Sequence, residues 1–257
     1  MPALFIGHGS PMNTLEDNAY SQAWRALGRQ LPRPRAILAL SAHWYLPTLA
    51  VTAMARPATI HDFSGFPAAL FEFHYPAPGS AALAAEIQEL LKPLAVAADQ
   101  EWGLDHGTWS VLAHLFPEAD IPVVQLSLDS TQPNAFHYQL GQRLAPLRED
   151  GVLILGSGNV VHNLRTLRWE AGAAPYDWAA RLEQQVKARL QQHQHHDLID
   201  YLQLDPQAQL SIPTPEHYLP LLSIIGTRQA EEVLSFPVEG ITMGSLSMLS
   251  VTIGRLA

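Results

Sequence analysis

Cysteine is absent from the 257-residue sequence. Its absence excludes disulfide bonds, thiolate nucleophiles, and zinc or iron–sulfur sites built on cysteine. Basic clusters are lacking as well: the formal net charge is −9, and lysine and arginine form no run. Proteins that bind nucleic acids or anionic membrane surfaces through charge need such clusters. The sequence therefore indicates that neither nucleic acids nor membranes are partners of this protein.

Long apolar segments and targeting signals are also missing. No stretch of 18 apolar residues occurs, and the beginning, MPALFIG, has no basic region followed by a long apolar core. We therefore expect a cytoplasmic protein. The chain shows no internal repeat, no long linker and no change in composition, which predicts a single domain over residues 1–257.

Familiar catalytic motifs are absent too. The sequence Gly7-His8-Gly9 follows an apolar run, as phosphate-binding loops do, but no G-x-G-x-x-G or G-x-x-x-x-G-K-[ST] motif is completed there. The lack of a G-x-S-x-G motif disfavours a serine hydrolase. The two glycines must serve another purpose, and we expect that they let the backbone pass close to a metal bound by His8.

Short apolar runs of strand-forming residues are what the sequence does contain. They span residues 3–7, 36–42, 49–54, 122–128, 152–158 and 248–254. Nearly continuous runs are typical of strands buried on both faces of a sheet. Amphipathic helical patterns beginning near Ser80, Phe136 and Trp178 separate them. This alternation predicts an α/β fold: a single domain with a central, mostly parallel or mixed sheet flanked by helices on both faces.

Histidine is abundant, with 12 residues in the chain. His8, His43 and His162 each follow a predicted strand, and the ligand site of an open α/β sheet lies beyond the carboxyl ends of its strands. His106 and His217 lie in the loop-like sequences GLDHGTW and PTPEHYLP. A single histidine at a strand end usually has a structural hydrogen bond. Five in similar positions instead predict that at least three bind one metal, for which Zn, Fe and Cu are suited.

Helix starts sharpen this prediction. Asn159 is a good N-cap residue, which would place His162 in the first turn of a helix. Thr214 followed by Pro215 has the same pattern and would place His217 in another first turn. Side chains in first turns lie at the mouth of the crevice beside a sheet.

The segment 60–76 is rich in aromatic residues and contains His61. We interpret it either as a lid over a flat aromatic substrate, with His61 as a substrate-binding residue, or as a surface loop that packs on itself. Arg165, three residues after His162, is either a ligand for a substrate carboxylate or a solvated charge.

Eight motifs in order resemble the 4,5-DOPA extradiol dioxygenase family, which belongs to the class III extradiol enzymes similar to the β-subunit of protocatechuate 4,5-dioxygenase. The resemblance extends from residue 3 to about residue 254. The motifs are GHGSPMN, SAHW, IHDFSGFP, YPAPGS, DHGTWSVL, SGNVVHNL, PTPEHYLPLL and MGSLSMLS.

The resemblance implies an oxidoreductase that inserts both atoms of O2 beside the hydroxyl pair of a catechol, such as 4,5-cleavage of L-DOPA to a seco-DOPA. It implies one divalent metal per chain, with Fe(II) expected for activity and Zn(II) possible in purified protein. The implied ligands are His8, His43, His162 and His217. The first choice for proton transfer is His106, and the second choice is His162.

Two alternatives and one departure stay open at this point. A histidine site also suits a zinc-dependent hydrolase or a metal-binding protein without catalysis. Many mononuclear Fe(II) oxygenases use two histidines and one carboxylate, and Glu216 is the obvious carboxylate here. Because neighbouring residues of a helix face different directions, we favour His217 over Glu216 as the ligand. The sequence does not fix the oligomeric state.

Overall fold

The computed structural model describes residues 1–170 and 172–256. The strands are β1 (Ala3–Gly7), β2 (Ala36–Ser41), β3 (Tyr45–Leu46), β4 (Leu49–Thr52), β5 (Val96–Asp99), β6 (Val123–Gln125), β7 (Leu128–Asp129), β8 (Val152–Gly158), β9 (Leu234–Val238), β10 (Ile241–Thr242), β11 (Leu246–Ser247) and β12 (Ser250–Ile253). The helices are α1 (Ala19–Gln30), α2 (Ala68–Phe71), α3 (Ala81–Leu90), α4 (His106–Leu115), α5 (Asn134–Leu144), α6 (Pro146–Glu149), α7 (Asp177–Gln191), α8 (His195–Ile199), α9 (Ala208–Ser211) and α10 (Leu219–Gly226).

The central sheet has six strands in the order β6-β2-β8-β1-β12-β9. The first four run parallel to one another, whereas β12 is antiparallel to both β1 and β9. The predicted α/β class is confirmed, and the sheet is of the mixed kind. Among the described helices, none combines the length and apolar character needed to cross a bilayer.

The sheet carries a hydrophobic core on each face, because alternate side chains of each strand point to opposite sides. Leu4 and Ile6 of β1 pack in the core covered by α1 and α4. Phe5, between them, packs in the larger core covered by α5, α7 and α10. Both faces are thus buried, which explains why the strand sequences are continuously apolar rather than alternating.

Some strand predictions were wrong in detail. The run 49–54 forms β4, which pairs with β5 outside the central sheet, and the run 122–128 divides into β6 and β7. The edge strand β9 was not predicted. It is only partly buried and contains Pro237, a residue that sheets tolerate mainly at their edges, so it lacks the apolar run that marks the inner strands.

Most helix predictions were accurate because caps and breakers lie where the chain turns. The Ser80 side chain accepts a hydrogen bond from the amide of Leu83 and caps α3. The pattern beginning near Phe136 is interrupted by Pro146, which starts the separate helix α6. The pattern beginning near Trp178 forms α7.

His137, inside α5, gives a test of how burial affects stability. Its Nε2 lies 3.2 Å from the carbonyl oxygen of Asp129, and burial lowers its pKa to about 4. As the pH falls, His137 therefore binds a proton in the unfolded chain before it does so in the folded protein. The stabilisation of the fold by neutral His137 is complete above about pH 6.5 and is lost as the pH falls towards 4. Lowering the pH from 7.5 to 5 should therefore reduce the free energy of unfolding by about 2 kcal/mol through His137 alone.

The variant His137→Gln keeps an amide donor near the position of Nε2 but cannot titrate. We expect its free energy of unfolding to fall by about 2 kcal/mol less than that of the wild type between pH 7.5 and 5. Urea unfolding of both proteins at pH 7.5 and pH 5 measures the difference. Equal losses in the two proteins would contradict the assignment.

Candidate active site

The carboxyl ends of three neighbouring parallel strands build the site. Strands β2, β8 and β1 are adjacent in that order. His8 follows β1 directly, and His43 follows β2 after one intervening residue. His162 lies a few residues beyond β8. Together with His106 and His217, these side chains line one cavity of about 370 Å³. The structure thus brings all five histidines together, although they are far apart in sequence.

Close backbone approaches at the strand ends explain the glycines around His8. A Cβ on Gly7 would lie 2.7 Å from the carbonyl carbon of Met248, and Gly9 has a φ of +61°, which favours glycine. At the end of β8, a Cβ on Gly158 would lie 2.1 Å from the carbonyl oxygen of His217. These glycines let the chain segments that carry the histidines pack directly against one another.

Two helix-start predictions were wrong. Asn159 is buried, and its side-chain amide donates to the carbonyl oxygen of Ser247, so it caps no helix. His162 lies in an extended segment that forms a β-bridge with Leu246. His217 lies in a turn that precedes α10 rather than in its first turn. The hydroxyl of Thr214 donates to the Glu216 carboxylate instead of capping backbone amides.

The hydrogen bonds of His8 leave one ring nitrogen free. The hydroxyl of Ser157 donates to the carbonyl oxygen of Gly107 at 2.5 Å, so its oxygen must accept at the other contact. That contact is His8 Nδ1, 2.9 Å away, which therefore carries the proton. The lone pair of His8 Nε2 then points into the cavity.

The ring of His43 has the same arrangement. Its Nδ1 lies 3.0 Å from Asp62 Oδ2, and its Nε2 lies 3.3 Å from His8 Nε2. With both Nδ1 atoms occupied as donors, two lone pairs face each other across 3.3 Å. Such a contact requires a shared cation, either a proton or a metal ion.

His217 supplies the third nitrogen. Its buried Nε2 has no hydrogen-bond partner among the described residues, while its Nδ1 lies 3.3 Å from the Glu216 carboxylate. Donor atoms of His8, His43 and His217 all lie within 4.8 Å of one another. An orphaned buried nitrogen beside two opposed lone pairs fits a metal ion with histidine ligands.

Two other groups of donor atoms also lie within 4.8 Å of one another, but several of their atoms already have partners within the protein. They are His43 with Asp62 and His106, and His162 with Glu216 and His217. In the first group the nitrogens already donate to Asp62. In the second, Glu216 accepts from Thr214 and lies beside the outer nitrogen of His217. The Glu216 carboxylate is thus placed to orient His217.

The pKa values of the three histidines differ in direction. Burial, followed by the neighbouring imidazoles, lowers the pKa of His8 and of His217 well below the usual value. Burial acts in the same direction on His43, but the hydrogen bond to Asp62 and the charges of Asp105, Asp62 and Glu216 outweigh it, so the pKa of His43 is raised. In the metal-free site, His43 is the imidazole that holds the shared proton.

We therefore expect Zn²⁺ binding to displace one proton per metal below the raised pKa of His43, because the pKa values of His8 and His217 are lowered and those rings hold no proton to displace. Affinity should rise about tenfold per pH unit there and level off above the raised pKa of His43. Calorimetric titrations in two buffers with different ionisation enthalpies count the protons released. A release of two or more would show that His8 or His217 is also protonated and would contradict the assignment.

His106 lies at the start of α4, where Asp105 caps the helix by accepting from the amide of Thr108. Its Nδ1 and its backbone amide each lie 2.9 Å from Asp62 Oδ1. Burial lowers the pKa of His106, although the bond to Asp62 opposes this. The imidazole is therefore neutral near pH 7, with Nδ1 protonated and Nε2 free to accept a proton.

Asp62, which contacts both His106 and His43, was not predicted from the sequence. Burial raises the pKa of Asp62, but hydrogen bonds from His106 and His43 outweigh burial and hold its pKa far below the usual range. One ionised carboxylate thus orients two imidazoles. The only signal in the sequence was its position in IHDF, directly after His61, within a segment that has little regular structure.

His162 stacks on His217, with ring centroids 3.5 Å apart and planes inclined by 7°. The lone pairs of two parallel rings do not point to a common centre, since each lies in the plane of its own ring. Burial lowers the pKa of His162 to about 4, so the ring is neutral. As a metal ligand His162 stays a prediction, and its place on the cavity wall also suits the second role predicted for it.

His61 and Arg165 do not line the cavity. The Nε2 of His61 lies 2.9 Å from the carbonyl oxygen of Phe73, and its ring packs against Phe63 and Trp109. Arg165 is exposed in a short 3₁₀ turn, Leu164–Thr166. Within the aromatic segment 60–76, Phe63 and Phe66 line the cavity, whereas His61 packs on the protein; its role as a lid stays a prediction.

The wall opposite the histidines is apolar. It is formed by parts of the segments 63–66 and 164–169, by the turn before β11 and by the first residue of β11. Its residues are Phe63, Phe66, Leu164, Leu167, Trp169, Met243 and Leu246. A flat ring could lie between these side chains and the nitrogens of the site, as in the mostly apolar binding pockets of many enzymes.

Comparison with known proteins agrees with this architecture. The family of the catalytic LigB subunit of aromatic ring-opening dioxygenases matches residues 2–245. The chain is 55% identical to the 4,5-DOPA dioxygenase extradiol of Escherichia coli K12, with 99% of this chain and 95% of that protein covered. It is 41% identical to the 4,5-DOPA dioxygenase extradiol of Beta vulgaris, with 86% and 85% covered.

A crystal structure of an uncharacterized protein from Escherichia coli K12 has the same fold. Its TM-score is 0.87 at 51% identity, with 99% of this chain and 100% of that chain covered. The family match spans nearly the whole sheet and every histidine of the site. The chain therefore belongs to the LigB family of aromatic ring-opening dioxygenases, which are metal-dependent oxidoreductases.

Proposed function

We propose that the protein catalyses extradiol cleavage of a catechol such as L-DOPA, for which the 4,5-bond would open to give a seco-DOPA. The carbon–carbon bond beside the hydroxyl pair breaks, and both atoms of one O2 enter the product as an aldehyde and a carboxylate. The reaction balances without an external reductant. Its main support is the group of imidazole nitrogens of His8, His43 and His217, which lie within 4.8 Å of one another in the lining of a largely apolar cavity.

The proposed metal ligands are the Nε2 atoms of His8, His43 and His217, with His162 beside them. A bound Fe(II) would supply positions for the catechol oxygens and O2 and would carry electron density between them. Neutral imidazoles bind Zn(II) as well, so purified protein that holds zinc would be consistent with this site. Asp62, Ser157 and Glu216 then orient the three imidazoles through their outer nitrogens.

His106 is proposed to accept the proton of one catechol hydroxyl. Its Nε2 faces the cavity as a free lone pair, because Nδ1 donates to Asp62. The ionised Asp62 fixes this tautomer and stabilises the imidazolium that forms. The protonated ring can later return the proton when the bond between the two oxygen atoms of O2 breaks. The neutral ring of His162 faces the same space and is the second candidate for this role.

The apolar wall is proposed to hold the aromatic ring and exclude water. Phe63 packs nearly perpendicular to His106, with ring centroids 5.5 Å apart, so an apolar ring lies directly against the proposed base. Excluding water favours proton transfer from the substrate over transfer from solvent.

The test is anaerobic loading with Fe(II), followed by a panel of catechols under air with O2 uptake and product absorbance recorded. We expect one O2 consumed per catechol opened and no turnover without metal. A zinc hydrolase would instead cleave esters or amides anaerobically, and a non-catalytic protein would bind metal with no turnover. Either result would overturn the proposal.

A further inference from the structure

We infer that Glu183 is a positioning residue for the substrate cavity: its buried carboxylate fixes the β10–β11 hairpin, and that hairpin sets the apolar wall against which a catechol ring would lie. The inference rests on the proposed function and adds to it a residue outside the cavity. Glu183 belongs to α7 and is not among the residues that line the cavity, so it acts through the hairpin rather than on the substrate.

The carboxylate of Glu183 bonds to both ends of this hairpin, which comprises residues 240–247. The amide of Gly240, just before β10, donates to Oε1 at 3.0 Å, and the hydroxyl of Ser247, in β11, donates to Oε2 at 2.6 Å. Glu183 is buried, so little water competes for these bonds. Hydrogen bonds to a carboxylate are stronger than bonds between neutral groups, and a water-poor environment strengthens them further. A single side chain of α7 therefore closes the open end of the hairpin and ties it to the helix.

The hairpin carries part of the apolar wall. Met243, in its turn, and Leu246, in β11, both line the cavity. Trp169 depends on the same turn, because the amide of the preceding residue, Arg168, donates to the carbonyl oxygen of Met243 at 2.9 Å. The indole of Trp169 also lines the cavity. A displacement of the hairpin would thus move three side chains of the wall together.

The other side of the hairpin is bound to the segment that follows β8. The amide of Ser247 donates to the carbonyl oxygen of Val161 at 3.0 Å, and the side-chain amide of Asn159 donates to the carbonyl oxygen of Ser247 at 2.7 Å. Without Glu183 the hairpin keeps these bonds but loses its tie to α7. We therefore expect the wall to loosen while the histidines that follow β1 and β2 keep their positions.

Replacement of Glu183 by alanine is expected to weaken catechol binding and to spare the metal site. With Fe(II)-loaded protein, KM for L-DOPA should rise about tenfold, the equivalent of roughly two methylene groups of lost apolar contact, whereas kcat should stay within about twofold. Metal content should not change. Glu183→Gln should stay within about threefold of the wild type, because its amide oxygen still accepts from Gly240 and its NH2 group can donate to Ser247 Oγ.

Two measurements do not depend on turnover. Calorimetric titration of the zinc-loaded protein with L-DOPA under nitrogen should show the same loss of affinity in Glu183→Ala. Hydrogen exchange of the zinc-loaded protein without substrate should be at least about threefold faster over residues 240–247 in this variant, but not in Glu183→Gln. Failure of the wild type to open any catechol would refute the proposed function. Unchanged exchange of the hairpin in a folded Glu183→Ala protein would refute the inference.

Two further variants separate positioning from general destabilisation. Ser247→Ala removes one of the two bonds and should raise KM in the same direction, with no further rise when it is combined with Glu183→Ala. The matched control is Glu232→Ala, which removes another partly buried carboxylate, the partner of Arg148, outside the cavity. It should lower stability but leave KM unchanged. An equal rise of KM in Glu232→Ala would show that any loss of stability has this effect, and the inference would be wrong.

Discussion

Replacement of His217 by alanine is expected to remove metal and ring-opening activity together. Its Nε2 is one of three nitrogens proposed to share the metal, and the remaining pair would leave the ion with two protein ligands. Structural zinc sites bind with roughly 10–16 kcal/mol from about four ligands, so the loss of one ligand should weaken affinity about 10²–10³-fold. Metal content by emission spectroscopy and O2 uptake with a catechol measure the two losses.

The matched control is His196→Ala, which removes an exposed histidine outside the cavity. It should keep both metal and activity. Circular dichroism and thermal unfolding establish that His217→Ala is folded. A folded His217→Ala protein that keeps a full equivalent of tightly bound metal would show that the ligand set has to be redrawn, with His162 as the first residue to add.

Replacement of His106 should separate catalysis from metal binding. His106→Ala is expected to keep its metal and still bind a catechol, but to lose about 10²–10⁴-fold in turnover, the usual contribution of a positioned acid–base group. The reason is geometric: the Nδ1 of His106 is committed to Asp62, and its free Nε2 faces the cavity.

A pH profile distinguishes proton transfer from a structural role. The wild-type profile of kcat/KM should fall on its acid side as His106 becomes protonated, and this limb should disappear in His106→Ala. Asp62→Asn should retain metal more weakly and lose turnover, because it orients His43 as well as His106. If His106→Ala keeps full turnover, His162 becomes the candidate for proton transfer. If His106→Ala instead loses its metal, His106 is a metal ligand.

The positions of the inner strands, and of the histidines that follow them, were predictable from the sequence because both depend on how parallel strands are buried. Apolar runs mark parallel strands buried on two faces, and their carboxyl ends meet at one edge of the sheet. His8, His43 and His162 follow such runs, so their meeting required only that β1, β2 and β8 be neighbours. That adjacency itself was beyond the sequence patterns, as was the exclusion of β4 from the central sheet.

Asp62 and the position of His217 were less predictable. Asp62 lies in a segment with little regular structure, where neither periodicity nor capping fixes the direction of a side chain. His217 was assigned to a helical turn by its Thr-Pro pattern, but its position is set by a tertiary contact instead. The amide of Asn159 donates to its carbonyl oxygen at 2.9 Å, beside the space left by Gly158.

The location of β1 has a consequence for how the protein is made. The strand nearest the N-terminus lies inside the sheet, between β8 and β12, and its partners comprise residues 152–158 and 250–253. At ribosomal rates of 5–20 residues per second, the second partner is translated about 10–50 s after β1. Until then, β1 and His8 lack the neighbouring strand on one side, so the histidine site is completed only after β12 has been translated.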